Sequence, residues 1–121
     1  MRVRRLVIAV DAGLVINPDG LANQIEGGAV QAASWTLKEA VRFDRTRITS
    51  DAWDTYPILR ATQTPAVEVH IVSRPDCPAS GAGEAAAGPA TAAIANAVFD
   101  ALGVRVRDLP LTAERIRAAM A

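Results

Sequence analysis

Few residues of this chain sit where they could do chemistry, and the best placed is Glu84. It closes the glycine-rich turn Ser80-Gly81-Ala82-Gly83-Glu84, which runs through Ala85-Ala86-Ala87-Gly88 to Pro89 and an alanine-rich helix. Glycines at 81 and 83 lack a Cβ, so the backbone is free to take positive φ and another group can approach it closely. Pro89 suits the first turn of a helix, and the free N–H groups before such a helix favour an anion. A carboxylate at the end of this turn faces whatever occupies it and can take a proton from it. The plain alternative is that Glu84 only complements the helix dipole, a matter of a few tenths of a kcal/mol.

The other candidates are weaker. Gln24 stands at the expected first turn of a long helix, where its amide can donate to a ligand or simply be solvated. The pair Gly27-Gly28 falls inside the same helix and costs about 2 kcal/mol relative to alanine, which close approach of a backbone or a bound molecule would offset. His70, the one histidine, is expected on a strand as an exposed or hydrogen-bonded residue; without a second histidine or paired cysteines it is not a metal site. Cys77 lies between chain-breaking residues, able to contact a cofactor but equally readable as an inert small residue. Trp53 and Tyr56 could line an entrance or pack on a neighbouring element. One histidine ahead of every plausible partner set excludes a Ser/His/Asp triad, and no Walker loop is present.

Composition narrows the function classes. The chain has 121 residues, half of them apolar, with 13 basic and 13 acidic side chains. It therefore lacks the cationic surplus that phosphate-backbone binding requires, and nucleic acid is not an expected partner. Aromatics are only 4%, so packing should rely on close approach of alanine-rich helices. No apolar run reaches the length of a bilayer span, and no cleavable leader pattern follows Met1. A single cysteine excludes an internal disulfide and suits a reducing compartment, so a cytoplasmic location is expected, with the periplasm as the alternative.

The elements that must position these residues are legible in order. Arg2–Ala12 contains the β-branched run Leu6-Val7-Ile8-Ala9-Val10, expected as a central strand covered on both faces. Asn17-Pro18-Asp19-Gly20 reads as a turn. The spacing Asn23-Gln24-Ile25-Glu26 predicts a capping box and a helix running to about Val41. Phe43–Ile48 suggests a short hairpin, and Val67, Val69 and Ile71 define one face of a second strand, with His70 on the other. A helix with apolar positions Ala90, Ile94, Ala97, Val98, Ala101 and Leu102 ends at Gly103. Val104–Arg107 is a short exposed stretch, and Thr112 caps a terminal helix whose Ile116 can be stapled by Leu111. The expected fold is α+β: a mixed sheet of about three to five strands, two main helices and a short C-terminal helix, with no internal domain boundary.

Four motifs, taken together and in order, carry a resemblance. Val10-Asp11-Ala12-Gly13 through Asn17-Pro18, then Gln24-Ile25-Glu26-Gly27-Gly28 with Gln31, then Tyr56-Pro57-Ile58-Leu59, then Gly81-Ala82-Gly83-Glu84 resemble the C-terminal part of molybdenum hydroxylase large subunits, the xanthine dehydrogenase and aldehyde oxidase family. The likeness is greatest to the isoquinoline 1-oxidoreductase beta-subunit type, and it extends over nearly all of residues 1–121. It implies a piece of the molybdopterin-binding domain, with a molybdenum–pterin cofactor as molybdopterin or its cytosine dinucleotide form. It also implies hydroxylation of an N-heteroaromatic or aldehyde carbon with oxygen from water, electrons leaving through iron–sulfur clusters on a partner subunit.

Carried over residue by residue, the resemblance makes Glu84 the catalytic base, Gln24 a hydrogen-bonding group near the molybdenum, and Ala82 and Gly83 backbone contacts to the cofactor. No side chain of this chain is implied as a direct metal ligand. The family's large subunits extend several hundred residues further on the N-terminal side and hold most pterin-binding loops and much of the substrate pocket. This chain is therefore expected to be inactive alone and to need the remainder of the large subunit and the iron–sulfur subunit. A cloned piece, a truncated reading frame and a small subunit of a split enzyme all fit. From a different class, the sequence also fits a non-catalytic α+β module that self-associates through uncovered small-residue faces.

Overall fold

The computed structural model describes residues 1–121 as two parallel strands, three α-helices and one short 3-10 turn. Strand β1 is Arg5–Val10, helix α1 Pro18–Leu37, strand β2 Ala66–Ile71, helix α2 Ala87–Leu102 and helix α3 Ala113–Met120. The strands pair in parallel from Arg5↔Ala66 to Val10↔Ile71. A parallel pair needs a crossover, which here is α1 followed by the loop 38–65. No helix is long and apolar enough to cross a membrane.

The expected helix count and α+β class match the structure, but the sheet has two strands in place of the expected mixed sheet of three to five. The 43–48 hairpin shrinks to a single antiparallel bridge, Phe43↔Ile48. Its turn is closed by Asp44 Oδ1, which accepts the N–H groups of Thr46 and Arg47 at 2.7 and 2.9 Å; those bonds hold the Asp44 carboxyl below its ordinary range. Phe43 is 77% exposed, so nothing apolar extends the pairing. In the stretch 104–107, which is irregular as expected, Arg105 stacks on Phe99 and donates to Asn96.

Helix α1 begins six residues earlier than the Asn23 capping box predicts. Asn17, not Asn23, is the N-cap, its Oδ1 accepting from the Gly20 N–H at 2.9 Å, with Pro18 in the first helical position. Asn-Pro-Asp-Gly has the dihedral preferences of a turn, and the first turn of a helix asks for the same ones. The helix also ends at Leu37 and not Val41, with the Lys38 N–H returning to the Ser34 carbonyl. At α2 the expected end holds: Gly103 is left-handed, φ 70°. Helix α3 starts as predicted, with Thr112 Oγ1 accepting from Arg115 and Leu111 and Ile116 buried together.

Two apolar clusters hold these elements. Ile25, Ala29 and Ala32 of α1 meet Val10 and the α2-side residues Ala86 and Ala90, over the inward sheet face formed by Leu6, Ile8, Val67, Val69 and Ile71. Ala33 of α1 meets Ile94 and Val98 of α2 and Leu111 and Ile116 of the α3 segment. Alanines at the α1 crossing let the helices approach closely, as the low aromatic content predicts. Strand β1 is covered on one face only, contrary to expectation: Val7, pointing outward, is 56% exposed. On that outward face Glu68 pairs with Arg5 and with His70 Nε2 at 2.7 Å. The Arg5 hydrogen bond, then that of His70, holds the Glu68 carboxyl below its usual range. His70 is thus the exposed, hydrogen-bonded strand histidine that the sequence implies.

Candidate functional site

The loops that leave the carboxyl ends of β1 and β2 carry the candidate residues. In open α/β sheets this end of parallel strands is where ligands bind, because the loops diverge there and leave a crevice. The two loops are fastened to one another along their length. Val72 N–H donates to Val10 O at 2.8 Å, Leu14 N–H to Cys77 O at 3.0 Å and Ser80 N–H to Ala12 O at 3.0 Å. Asp11 adds a clasp, its Oδ1 accepting from the Gly13 N–H at 3.0 Å and its Oδ2 from Arg74 Nη1 at 3.4 Å. Arg74 Nη2 also reaches the Cys77 sulfur at 3.3 Å, so Cys77 serves this loop contact.

Gly13 makes the fastening fit. Its φ is +65°, and a Cβ there would lie 2.0 Å from the Pro78 carbonyl oxygen. Sequence reasoning identifies Asp11-Ala12-Gly13 only as the end of a strand and misses its role in seating the 77–80 segment. An Asp two residues before a Gly is the local signal, since the aspartate can accept a backbone N–H two residues on.

Delivered this way, the glycine turn lands on α1. Gln24 Nε2 donates to the Gly83 carbonyl at 2.7 Å, joining two motifs separated by 59 residues. One turn further, Gly28 faces Ala86, with a hypothetical Cβ at an ordinary contact distance of 3.4 Å. The structure thus brings Gln24, Ala82, Gly83 and Glu84 into one neighbourhood. Gln24 lies in the second turn of α1 and not the first, because the helix starts at Pro18. Gln24, Gly83 and Glu84 are exposed and Ala82 is half-buried. Nothing in the chain comes within 4 Å of a Cβ built on Gly27, Gly81 or Gly83. Trp53 is 83% exposed and makes no part of this neighbourhood, while Tyr56 donates to Glu39 Oε2 at 2.9 Å, which raises its hydroxyl pKa.

The first half of the chain, residues 1–65, matches the family profile described as molybdopterin cofactor-binding domain. The chain belongs to that family. Its relatives are large subunits of the molybdenum hydroxylases, as the four motifs imply. It is 48% identical over 118 residues to a nicotinate dehydrogenase subunit of Pseudomonas putida, covering 98% of this chain and 10% of that one. It is 33% identical over 111 residues to the beta subunit of isoquinoline 1-oxidoreductase from Brevundimonas diminuta, covering 92% and 14%. The fold superposes on the crystal structure of quinoline 2-oxidoreductase from Pseudomonas putida 86 with a TM-score of 0.87 and 31% identity, over 98% of this chain and 16% of that one. The chain thus spans between a tenth and a sixth of the length of these relatives.

The site is suited to a molybdenum–pterin group by its own features. Three glycines present bare backbone to open space, a carboxamide keeps an acceptor oxygen and a second N–H uncommitted, and the one carboxylate nearby is exposed beside them. No cluster of three metal-ligating side chains exists in the chain. That donor set fits a metal held by its own organic ligand and approached by protein backbone, as opposed to a metal held by side chains.

Proposed function

We propose that residues 1–121 form the C-terminal part of the molybdopterin-binding domain of a hydroxylase large subunit and supply one wall of its active site. The observation that carries the reading is the Gln24–Gly83 hydrogen bond, which ties the glycine turn to α1 and sets Glu84 at their junction. When bound, the molybdenum–pterin group would supply the acceptor for the hydrogen and two electrons of the C–H bond that breaks as the carbon takes up water-derived oxygen. Glu84 is the general base: its carboxylate takes the proton from the attacking oxygen as the new C–O bond forms, a contribution of about 100- to 10,000-fold. Gln24 holds the turn through one N–H and offers its remaining amide groups to the cofactor. Ala82 and Gly83 approach the cofactor by backbone, where side chains would obstruct it. The substrate carbon belongs to an aromatic N-heterocycle or an aldehyde, and the electrons leave through iron–sulfur clusters on a partner subunit. The rest of the large subunit completes the cofactor and substrate pockets.

The test is a graft. This chain replaces the matching 118 residues of the Pseudomonas putida relative, and molybdenum content and nicotinate oxidation are measured. The graft is expected to hold molybdenum and turn over. Glu84→Gln in the graft should lower kcat by at least about 100-fold with molybdenum unchanged. A graft whose Glu84→Gln variant retains full activity removes Glu84 from the role of base.

A further inference from the structure

Glu84 moves with α2. Its carbonyl accepts the Ala87 N–H at 3.2 Å where the helix begins, and Ala86 beside it is buried against Gly28 of α1. Upstream the turn is pinned by the Ser80 N–H on Ala12, but Gly81 and Gly83 follow and leave the backbone slack. The place of Glu84 relative to Gln24 is therefore set by how α2 lies along α1.

Shape alone holds that register weakly. On α1 the seam consists of Gly28, Ala29, Ala32 and Ala33, and the first residues facing it are Ala86 and Ala90. Packed helices keep their axial register because ridges of side chains seat in grooves. A methyl group raises only a shallow ridge, so this seam permits close approach and resists sliding little. One pair on it is polar. Thr36 is fully buried, and its hydroxyl lies 3.0 Å from that of half-buried Thr91. Each hydroxyl has one proton to give. That of Thr36 goes to the Ala32 carbonyl at 2.6 Å, so Thr91 donates to Thr36. A slide of α2 breaks this bond inside the seam, and leaving a buried polar group unpaired costs more than the bond itself returns.

We propose that Thr36 and Thr91 are positioning residues: their hydroxyl pair keys the register of α2 on α1 and so holds the Glu84 turn in place on Gln24. The consequence for catalysis rests on the reading of Glu84 as the base. A single buried polar group fixes register between otherwise apolar helices in coiled coils by the same physics. The α1 half of the key is itself anchored, since the Thr36 carbonyl accepts the Leu111 N–H at 2.7 Å. The pair stands about 18 Å along α1 from Gln24, at 1.5 Å per residue, so it acts only through α2 as a rigid element. A slide of one residue's rise, about 1.5 Å, shifts Glu84 against Gln24 by as much.

The Gln24 carboxamide reports this register by nuclear magnetic resonance of the isotope-labelled chain. In the parent its Nε2 protons should show a hydrogen-bonded shift and a nuclear Overhauser contact to Gly83. Thr91→Val keeps the side chain's shape and leaves Thr36 its bond to Ala32, so the variant should fold by circular dichroism and lose the Gln24 signature. Thr36→Val removes the same bond from the other helix and should do likewise, whereas Thr91→Ser, which keeps the hydroxyl, should retain the signature. In the graft, Thr91→Val should lower kcat by about 100-fold, the effect of a misplacement of about 1 Å, with KM and molybdenum unchanged, and Thr91→Ser should recover it. Folded valine variants that keep the Gln24 signature overturn the key, whatever the graft does. A grafted Thr91→Val that turns over like its parent, where Glu84→Gln does not, overturns the positioning role and leaves the functional reading standing. A signature lost in both valine variants, with a graft that holds no molybdenum, supports the key and counts against the functional reading.

Discussion

Gly13 fixes more of the site's geometry than either glycine of the turn it helps to place. Gly81 and Gly83 have open space around a hypothetical Cβ, while at Gly13 the same atom would sit 2.0 Å from the Pro78 carbonyl. The backbone there is also left-handed, which costs a non-glycine residue about 1–3 kcal/mol before any clash is counted. Gly13→Ala should therefore lower stability by at least that amount and release the 77–80 segment, since Leu14 and Ser80 would lose their bonds to Cys77 and Ala12. Thermal unfolding of the isolated chain measures the first effect. The second appears as faster exchange at the Ser80 amide; a variant with unchanged melting and exchange would show that the clasp does not hold the turn. Glu84 and Gln24 are legible in the sequence, as residue types in a plausible setting and through the resemblance. Gly13 is legible only as the end of an Asp turn; its steric demand is not, because that comes from a carbonyl 65 positions away.

At the scale of elements, what sequence conveys best is local. The C′ glycine of α2, the Thr112 cap and the Leu111–Ile116 staple each depend on neighbours within a turn of chain, and all three are in place. The start of α1 is harder to place because turn chemistry and N-cap chemistry use the same residues. The strand count differs because pairing is non-local: the apolar pattern of β1 is that of a strand with cover on both faces, and this chain provides one. Within α1, the Gly27-Gly28 pair is only half accounted for. Gly28 faces Ala86, but Gly27 meets nothing, so its cost of about 0.8–1 kcal/mol has no return inside the chain. Gly27→Ala should raise the melting temperature of the isolated chain by a few degrees, the expected consequence of about 1 kcal/mol in a domain of this size. If the open space beside Gly27 is where the proposed cofactor lies, the same variant in the graft should lower molybdenum content, because the methyl group would enter it. A variant that is more stable and keeps its molybdenum would place Gly27 on a solvent face.

The whole molecule is sized for company. Only 17 of its 121 residues are buried, while Ile16, Phe43 and Trp53 are 82%, 77% and 83% exposed. Such side chains scattered singly would need no explanation, but here they accompany an uncovered sheet edge and a surface about a third larger than a chain of this mass should show. Folding stability is a small difference between burial and conformational entropy, so a chain that buries this little should be marginal. The isolated chain should bind a hydrophobic dye, unfold with a shallow denaturant slope, and sediment as species whose mean mass rises with concentration. The denaturant slope reports the surface exposed on unfolding, so a native state that buries little must give a small one. A sharp monomer with the steep slope of a well-packed 121-residue domain would mean that these faces close on themselves in solution, and the chain would then be a module with its own core. Self-association that vanishes in the graft would instead assign the same faces to the rest of the large chain.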